Sequence, residues 1–278
     1  MKYTFQPAQA DNQVNHVGSY RRRLPVSVER MYENTLDWAH LPHLHDSSFA
    51  EIRCLDAGAW GWRAEVGGVQ SANGSTATPK SLIELTLDRQ ARRWITRNIE
   101  GPNKGAEIWT HVFIEGPQIL DIVVDFYVPD VPVEAKDKVG MAYATAYEQL
   151  YDEDVAMMVE RQQQLDLRVE GFDRSETLRL GAASELILPT LVKLSQRSFV
   201  LNQIAGEWVA YSAQCPHQMG PLIDSPIVEG EVRCPWHGFT FNVRTGECTS
   251  GAVCQLTEAP LVAEASDGTL LLKWADTL

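Results

Sequence analysis

Two short segments that each pair a cysteine with a histidine constrain this chain of 278 residues more than any other feature. Cys215 and His217 form the first pair, and Cys234 and His237 form the second, so the pattern is C-x-H-x16-C-x2-H. Two thiolates and two imidazoles can hold a [2Fe–2S] cluster, with the thiolates on one iron and the imidazoles on the other. Zinc also binds two Cys and two His, but zinc fingers pair like ligands at short spacing. Each segment here carries one ligand of each kind, which favours the cluster.

The residues beside the two ligand pairs suit tight loops around such a cluster. Gly220 and Gly238 follow the pairs closely, and glycine permits the turns that point backbone N–H groups at bridging sulfides. Pro216, Pro221 and Pro235 restrict both loops. With these features the chain resembles the Rieske family, and its CPWHGF segment is similar to that of Rieske oxygenases. The resemblance implies that the two cysteines and two histidines are the cluster ligands.

Composition argues against several partners and compartments. The chain has 24 Lys and Arg against 37 Asp and Glu, and its net charge of −13 argues against nucleic acid or an anionic membrane as a partner. It has five cysteines, an odd number without framework spacing, which argues against a secreted disulfide scaffold. No apolar signal segment begins the chain, and no run of about eighteen apolar residues occurs. We therefore expect a cytoplasmic protein with no membrane and no nucleic-acid partner.

Two further groups of residues give less specific signals. Cys248 and Cys254 could approach each other, but buried free thiols are the favoured interpretation. Four arginines could form an anion anchor for a substrate, although surface charges are the favoured interpretation; they are Arg21, Arg23, Arg92 and Arg93.

The order of predicted elements indicates an α+β helix-grip, or START-like, domain over residues 1–170. A strand within residues 16–26 and a helix from Val28 precede six β-rich segments between residues 51 and 127, which Gly and Asn clusters separate. Residues 133–167 then lack proline and are rich in Ala, Glu, Gln, Met and Leu, which predicts one long helix that Gly140 could interrupt early. An antiparallel sheet that curls around such a helix leaves a cavity between them.

Residues 171–278 are predicted to form a small all-β Rieske domain. Residues 168–183 are polar and mixed, and this composition predicts a linker. The two Cys–His loops would form the tip of the domain. The predicted strands are short and bounded by turn signals; they are 186–188, 198–204, 207–211, 231–233, 240–242 and 270–274.

A second constellation lies in the first domain, where the pattern is E-N-x2-D-x2-H-x4-H. Mononuclear non-haem iron enzymes use two histidines and one carboxylate on one face of the iron, which leaves positions open for dioxygen. A helix that runs to about His40 and is broken by Pro42 would let His40 and His45 converge. The pattern resembles the iron motif of Rieske oxygenases, in particular their monooxygenase branch. The resemblance implies that His40 and His45 are Fe(II) ligands and that Asp37 links the iron to a Rieske histidine. His43 stays open as an alternative ligand.

The resemblance also implies a third iron ligand from the long helix. The family takes an aspartate from a stretch similar to E-D-x5-E-x-Q, and residues 153–162 fit that stretch with Asp154 as the ligand. Helical periodicity predicts that Asp152 and Glu153 point elsewhere, although they are the next candidates if Asp154 is not the ligand. An exposed acidic turn is the alternative interpretation. The same periodicity predicts that Asp154 shares an inward face with Tyr147, Leu150, Met158 and Leu165.

The resemblance covers both domains, but the chain reverses their order, because the family commonly places the Rieske domain first. It implies an oxygenase, with monooxygenase favoured over dioxygenase, which uses dioxygen to hydroxylate or demethylate a small, largely apolar organic substrate. The chain has no G-x-G-x-x-G fingerprint, so electrons are expected from a separate ferredoxin or NAD(P)H-dependent reductase. In the family each Rieske domain serves the iron of the next subunit, which implies a homotrimer.

Two other functions remain open from the sequence. A Rieske ferredoxin fused to a carrier of hydrophobic ligands would need the cluster but no iron at His40. An enzyme with both metal sites could instead oxidise or cyclise its substrate without inserting oxygen.

Overall fold

The computed structural model describes residues 14–69, 80–167 and 173–275. The chain divides into two compact units, Met1–Val159 and Glu160–Leu278. The first contains an antiparallel sheet and most of a long helix, and the second contains short antiparallel strands, so the predicted α+β class is confirmed. The boundary predicted between residues 170 and 171 lies outside the described residues and stays a prediction.

The first unit contains a seven-stranded antiparallel sheet. Its strands are β1 (Val14–Leu24), β2 (Phe49–Gly58), β3 (Gly61–Gly68), β4 (Lys80–Asp88), β5 (Arg93–Glu100), β6 (Glu107–Gly116) and β7 (Ile119–Pro129). Their order across the sheet is β1-β7-β6-β5-β4-β3-β2. Alternate residues of β7 are buried from Leu120 to Val128, as expected when one face of a sheet covers a core. Every strand predicted in this region is present.

The segment between β1 and β2 differs from the single helix predicted up to His40. Helix α1 (Val28–Leu36) begins where the hydroxyl of Ser27 accepts a bond from the Arg30 amide, and it ends before a 3₁₀ turn at Trp38–His40. A one-turn helix, α2 (Leu41–Leu44), follows. The prediction that Pro42 breaks a helix was wrong. Proline lacks an N–H, but the first turn of a helix does not use that donor, so Pro42 opens α2 instead.

Helix α3 (Lys136–Asp166) follows a 3₁₀ turn at Val133–Ala135 and confirms the predicted long helix. It is continuous through Gly140, so the predicted interruption does not occur. Gly140 faces Gly18 of β1, and a β-carbon on Gly140 would lie 2.2 Å from the carbonyl oxygen of Val17. The glycine therefore permits close packing of helix on strand. Neither α3 nor any other helix of the described residues is both long and apolar enough to cross a membrane.

Aromatic side chains fix the position of α3 against the sheet. The rings of Tyr143 and Tyr147 each lie 5.3 Å from the ring of Phe126 on β7, centroid to centroid. One turn further along the helix, the ring of Tyr151 stacks on Tyr20 of β1 at 6.1 Å. These contacts set the rotation of the helix, and with it the direction of the residues that follow Tyr151.

In the second unit, residues 173–275 contain nine short strands: β8 (Thr177–Ala182), β9 (Thr190–Leu194), β10 (Arg197–Ile204), β11 (Glu207–Ser212), β12 (Ile227–Val228), β13 (Glu231–Arg233), β14 (Thr240–Asn242), β15 (Leu261–Glu264) and β16 (Thr269–Lys273). They form three small antiparallel sheets in the orders β11-β10-β9, β12-β13-β14 and β15-β16-β8.

Two sequence predictions for this unit were wrong. Residues 177–182, predicted as part of a linker, form β8 and pair with β16, because Leu178 and Leu180 alternate with polar residues and pack on the core. Residues 186–188 are not a strand. Leu186 and Leu188 pack against the same core from an irregular segment, so their apolar character reflects burial and not strand pairing.

Candidate metal centres

Three side chains of the first unit converge on one point. His40, His45 and Asp154 each offer one ligand atom, and these atoms all lie within 4.8 Å of one another. The Oδ1 atom of Asp154 is 3.1 Å from Nε2 of His45 and 3.5 Å from Nε2 of His40. Both imidazoles are buried, with exposures of 3% for His40 and 1% for His45. The structure therefore brings together the two histidines and the carboxylate that the sequence predicted as one site.

The backbone around α2 sets the separation of the two histidines. His40 ends the 3₁₀ turn, and His45 follows α2, where its amide N–H bonds to the Leu41 carbonyl at 3.1 Å. The His45 carbonyl then accepts the amide N–H of Phe49 at 2.9 Å, which leads the chain into β2. The two rings consequently stand 5.1 Å apart at an angle of 72°.

Neighbouring polar side chains form hydrogen bonds to two of the three converging residues. The Nδ1 atom of His45 lies 2.5 Å from Oε2 of Glu153, and Nδ2 of Asn34 donates to Oδ1 of Asp154 at 2.8 Å. The amide of Gln149 donates both to Oε1 of Glu153 at 3.3 Å and to the hydroxyl of Ser47 at 2.9 Å. Such outer contacts fix the tautomer and orientation of metal-binding imidazoles.

The prediction that Glu153 points away from the site was wrong. Neighbouring residues on a helix differ in direction by roughly 100°, so Glu153 and Asp154 can reach opposite sides of one imidazole. His45 lies between them, with one ring nitrogen toward each carboxylate. The structure thus adds Asn34, Gln149 and Glu153 to the predicted residues. The sequence signals were the Asn in the E-N-x2-D motif and the Glu beside Asp154.

Charges within the site are arranged to suit a cation. Burial alone would raise the pKa of Asp154, but its contacts with His45, His40 and Asn34 hold that pKa below its ordinary value. Burial alone would lower the pKa of His45, but Asp154 and Glu153 raise it above the ordinary value. Asp154 thus contacts both imidazoles, and Glu153 contacts the imidazole of His45 alone. The Asp154 carboxylate and the two buried imidazoles are a donor set that fits a divalent metal ion.

The other candidates from the sequence lie elsewhere. His43 is half-buried and does not belong to the group of converging ligand atoms among the described residues. Asp152 pairs with Arg22, at 2.6 Å between Oδ1 and Nη1. Asp37 lies beside the site, with Oδ2 at 3.7 Å from Nδ1 of His40. Arg23, one of the arginines considered as an anion anchor, pairs with Asp121 on the sheet surface.

A cavity of about 140 Å³ opens beside the three converging residues, within the first unit. Most of its wall is aromatic or aliphatic. Burial raises the pKa of Tyr147 and of Tyr151 well above the ordinary value, so both phenols stay protonated. The aromatic wall residues are Trp38, Phe49, Trp62, Trp94, Tyr147 and Tyr151.

The two Cys–His loops of the second unit have nearly the same backbone. The Cys215 amide bonds to the carbonyl of Gly220 at 2.8 Å, five residues later. The Cys234 amide bonds in the same way to the carbonyl of Phe239, also at 2.8 Å and five residues later. Each loop is therefore closed on its own cysteine.

The fifth residue of each loop completes the repeat. The amide of Met219 bonds to the Cys215 carbonyl at 2.9 Å, and the amide of Gly238 bonds to the Cys234 carbonyl at 3.0 Å. Met219 has a φ of 67° and Gly238 a φ of 69°. This left-handed conformation suits glycine and is uncommon for methionine, so it costs the first loop conformational free energy.

The four predicted ligands of these loops face one another. The rings of His217 and His237 stand 4.5 Å apart and perpendicular, and both cysteines are 1% exposed. The Cys215 thiol donates a hydrogen bond to the sulfur of Cys234, which lowers the pKa of Cys234 to about 7 against the effect of burial. The pKa of Cys215 is raised by the same hydrogen bond and by burial. The two sulfurs are thus in contact with each other, as are the two imidazoles, and this pairing by ligand type suits a [2Fe–2S] cluster with mixed ligands.

Gly220 leaves the space that this arrangement needs. A β-carbon at Gly220 would lie 2.9 Å from Sγ of Cys234 and 3.0 Å from the ring of Trp236. Any larger residue would push against a predicted ligand. The donor set and the clearance around it therefore fit a [2Fe–2S] cluster.

Residues 177–259 match the family model described as the Rieske [2Fe-2S] domain. The C-terminal part of the chain therefore carries a Rieske domain, which supports a [2Fe–2S] cluster as a cofactor.

Comparisons with individual proteins give partial matches. The chain is 41% identical over 56 residues to apoptosis-inducing factor 3 of Homo sapiens, which covers 20% of this chain and 9% of that protein. It is 38% identical over 65 residues to a chloroplastic pheophorbide a oxygenase of Oryza sativa subsp. japonica, which covers 22% of this chain and 12% of that protein. Among solved structures, norcoclaurine synthase from Thalictrum flavum matches with 14% identity and a TM-score of 0.41, over 58% of this chain and 96% of that one. These matches span about a tenth of the length of the two curated relatives, and it is the Rieske domain itself that supports an oxidoreductase.

Proposed function

We propose that this chain is the oxygenase component of a Rieske non-haem iron system and that it acts as a monooxygenase on a small, largely apolar organic substrate. The observation that carries the proposal is the convergence of His40, His45 and Asp154 beside an aromatic cavity, in a chain that also has a Rieske domain. A cluster without such a site would suit an electron carrier. A two-histidine, one-carboxylate site leaves positions open for dioxygen.

Two sets of side chains would hold the cofactors in this proposal. When bound, the cluster would supply single electrons and the ferrous ion would activate dioxygen beside the substrate. The proposed cluster ligands are Cys215, His217, Cys234 and His237, and the proposed Fe(II) ligands are His40, His45 and Asp154.

The chain's own residues would prepare the ligands. With iron bound, Glu153 would accept a hydrogen bond from the Nδ1–H of His45, which would leave the electron pair on Nε2 of that ring for the metal. Asn34 donates to Asp154 and so limits the rotation of its carboxylate. Both contacts act before any substrate arrives, so the site is ordered in advance.

The cavity limits the size and polarity of the proposed substrate. Its volume of about 140 Å³ is close to that of engineered cavities, about 150 Å³, that hold a benzene molecule. Aromatic walls would exclude water, and the protonated phenols of Tyr147 and Tyr151 could donate a hydrogen bond to a substrate oxygen. We propose hydroxylation of a C–H bond or loss of an O- or N-methyl group as the reaction.

The proposal includes partners that supply electrons and complete the electron path. A separate ferredoxin or NAD(P)H-dependent reductase would reduce the cluster, in the cytoplasm. Asp37, which lies 3.7 Å from His40, would accept a hydrogen bond from a Rieske histidine of a neighbouring chain in a homotrimer. A head-to-tail interface of this kind closes into a ring when its rotation is right.

Metal and sulfide analysis of the purified protein tests the function. The proposal requires three irons and two acid-labile sulfides for each chain, two irons in the cluster and one at the mononuclear site. Two irons with two sulfides would instead favour a Rieske ferredoxin fused to a carrier of hydrophobic ligands. Labelled dioxygen then separates oxygen insertion from oxidation without insertion, because only insertion adds the label to the product.

Mixed oligomers test the electron path between subunits. We would combine a chain without a cluster (Cys234→Ser) and a chain without the mononuclear iron (His40→Ala), each inactive alone. Recovery of activity supports transfer between neighbouring chains, and Asp37→Asn introduced into the iron-bearing chain should abolish the recovery with both metals retained. No recovery from fully mixed oligomers would place the electron path within one chain.

A further inference from the structure

Two cysteines outside the cluster loops stand opposite each other in a short hairpin of the second unit. Glu247 forms an antiparallel bridge with Gln255, so the next residues inward, Cys248 and Cys254, are directly opposite. Both are free thiols of intermediate exposure, which corrects the expectation that they are buried. The amide N–H of Leu256 bonds to the carbonyl of Gly246 at 2.8 Å and continues the same register on the other side.

This register brings the two thiols within bonding reach. Opposite residues of an antiparallel pair have Cα atoms about 4.5 to 5.5 Å apart, inside the range of about 4.4 to 6.8 Å that disulfides span. Opposite side chains also project to the same face of the hairpin. The Cys254 thiol in fact donates a hydrogen bond to the sulfur of Cys248.

The two thiols differ in reactivity. Burial alone would raise the pKa of Cys248, but hydrogen bonds from Ser250, from the backbone and from Cys254 lower it below the ordinary value. The hydroxyl of Ser250 lies 3.2 Å from its sulfur. Burial and the contact with Cys248 raise the pKa of Cys254. Cys248 is therefore the nucleophile of the pair, since the thiolate is the reactive form.

We propose that Cys248 and Cys254 form a reversible disulfide when the protein meets hydrogen peroxide. The Cys248 thiolate attacks one peroxide oxygen and becomes a sulfenic acid, and the hydroxide that leaves takes up the proton which Cys248 had lost, giving water. The Cys254 thiol then displaces the hydroxyl of the sulfenic acid as a second water and forms the S–S bond. Two thiols lose two electrons and two protons, and one peroxide becomes two waters.

The disulfide would constrain a segment that is hydrogen-bonded to the residue following the second cluster loop. The amide of Thr249 bonds to the carbonyl of Thr240 at 2.8 Å, and the Thr240 amide bonds to the hydroxyl of Ser250 at 3.2 Å. Thr240 directly follows Phe239, whose carbonyl closes the loop on Cys234. Closing the ring from residue 248 to residue 254 would hold this segment against the strand next to the cluster ligands.

Peptide mapping of the cluster-loaded full chain tests the proposal. Trypsin leaves residues 245–273 as one peptide, because the segment between Arg244 and Lys273 has no other Lys or Arg, and its only cysteines are Cys248 and Cys254. After stoichiometric peroxide and alkylation we expect this peptide to carry no alkyl groups and to weigh about 2 Da less than its dithiol form. Dithiothreitol should restore two alkylation sites.

Two variants provide the controls. Cys54→Ser removes a half-buried thiol whose pKa is raised by burial, and it should leave the disulfide unchanged. Cys254→Ser should prevent the disulfide and let Cys248 proceed to sulfinic acid, which adds two oxygens to the peptide. The proposal is overturned if both thiols of the native peptide stay fully alkylated at a peroxide dose that oxidises Cys54. It is equally overturned if the disulfide found joins either thiol to a cysteine of the cluster loops.

Discussion

The two candidate metal centres are built in different ways. The four candidate cluster ligands lie within residues 215–237, on two loops that close on their own cysteines through the same hydrogen bonds. The three residues of the candidate iron site come from distant parts of the chain, with His45 and Asp154 separated by 109 positions. One site depends on local backbone geometry, and the other depends on where α3 lies against the sheet.

This difference predicts how each site should fail. Loss of one loop cysteine removes one of the four candidate cluster ligands, while the first unit keeps its own core. The candidate iron site has supporting contacts in addition to its candidate ligands, because Glu153 is hydrogen-bonded to His45 and Asn34 to Asp154. Substitutions there should separate loss of a ligand from loss of its support.

The largest effect is expected for Cys234→Ser. A serine hydroxyl does not replace a thiolate on iron, so the protein should lose both cluster irons, both sulfides and the cluster absorption. The mononuclear iron should remain. Iron and sulfide analysis with visible spectroscopy measures this, and Cys54→Ser is the matched control that keeps the cluster. If the Cys234→Ser protein retained both sulfides, the assignment of the cluster to these loops would be wrong.

A smaller loss of metal is expected for Asp154→Ala. Removing the carboxylate on which His40 and His45 converge should remove one iron for each chain and all oxygenation, with the cluster spectrum intact. Asp152→Ala is the control, because Asp152 is exposed and pairs with Arg22; a surface pair contributes about 0 to 1 kcal/mol to stability. Full retention of the iron in Asp154→Ala would mean that the third ligand is another residue.

The smallest effect is expected for Glu153→Gln. The amide keeps the size of the side chain but removes the charge beside His45 Nδ1, so Fe(II) affinity should fall by about 10- to 100-fold without loss of the site. Competition with a chelator measures the affinity. Glu148→Gln, at an exposed position of the same helix, should leave the affinity unchanged. An unchanged affinity in Glu153→Gln would limit Glu153 to a structural role.

The same comparison explains what the sequence could predict. The cluster loops were recognised because ligand type and spacing are local properties, which a pattern of residues records directly. The long helix and the strands of the first sheet were also predictable, because their periodicity and composition are local. The convergence of Asp154 with His40 needed a resemblance to a family, since no local signal links residues so far apart.

The errors arose where packing decides the outcome. Glu153 was predicted to point away from the site because helical periodicity gives only the face on which a residue lies. It does not show that His45 lies between Glu153 and Asp154, within reach of both carboxylates. Pro42 was taken as a helix end, although it begins a new turn. Residues 177–182 were taken as a linker because their partner strand, β16, lies at the other end of the domain sequence.

Nitric oxide is the probe that tests the central claim most directly, because it binds a ferrous ion with an open position and needs no knowledge of the substrate. Reduced, iron-loaded protein exposed to nitric oxide without oxygen should give the paramagnetic resonance signal of one mononuclear iron for each chain. Cys234→Ser should keep that signal, and Asp154→Ala should lose it. An iron-loaded native protein without the signal, or an Asp154→Ala protein that retains it, would contradict an oxygen-activating iron at His40, His45 and Asp154.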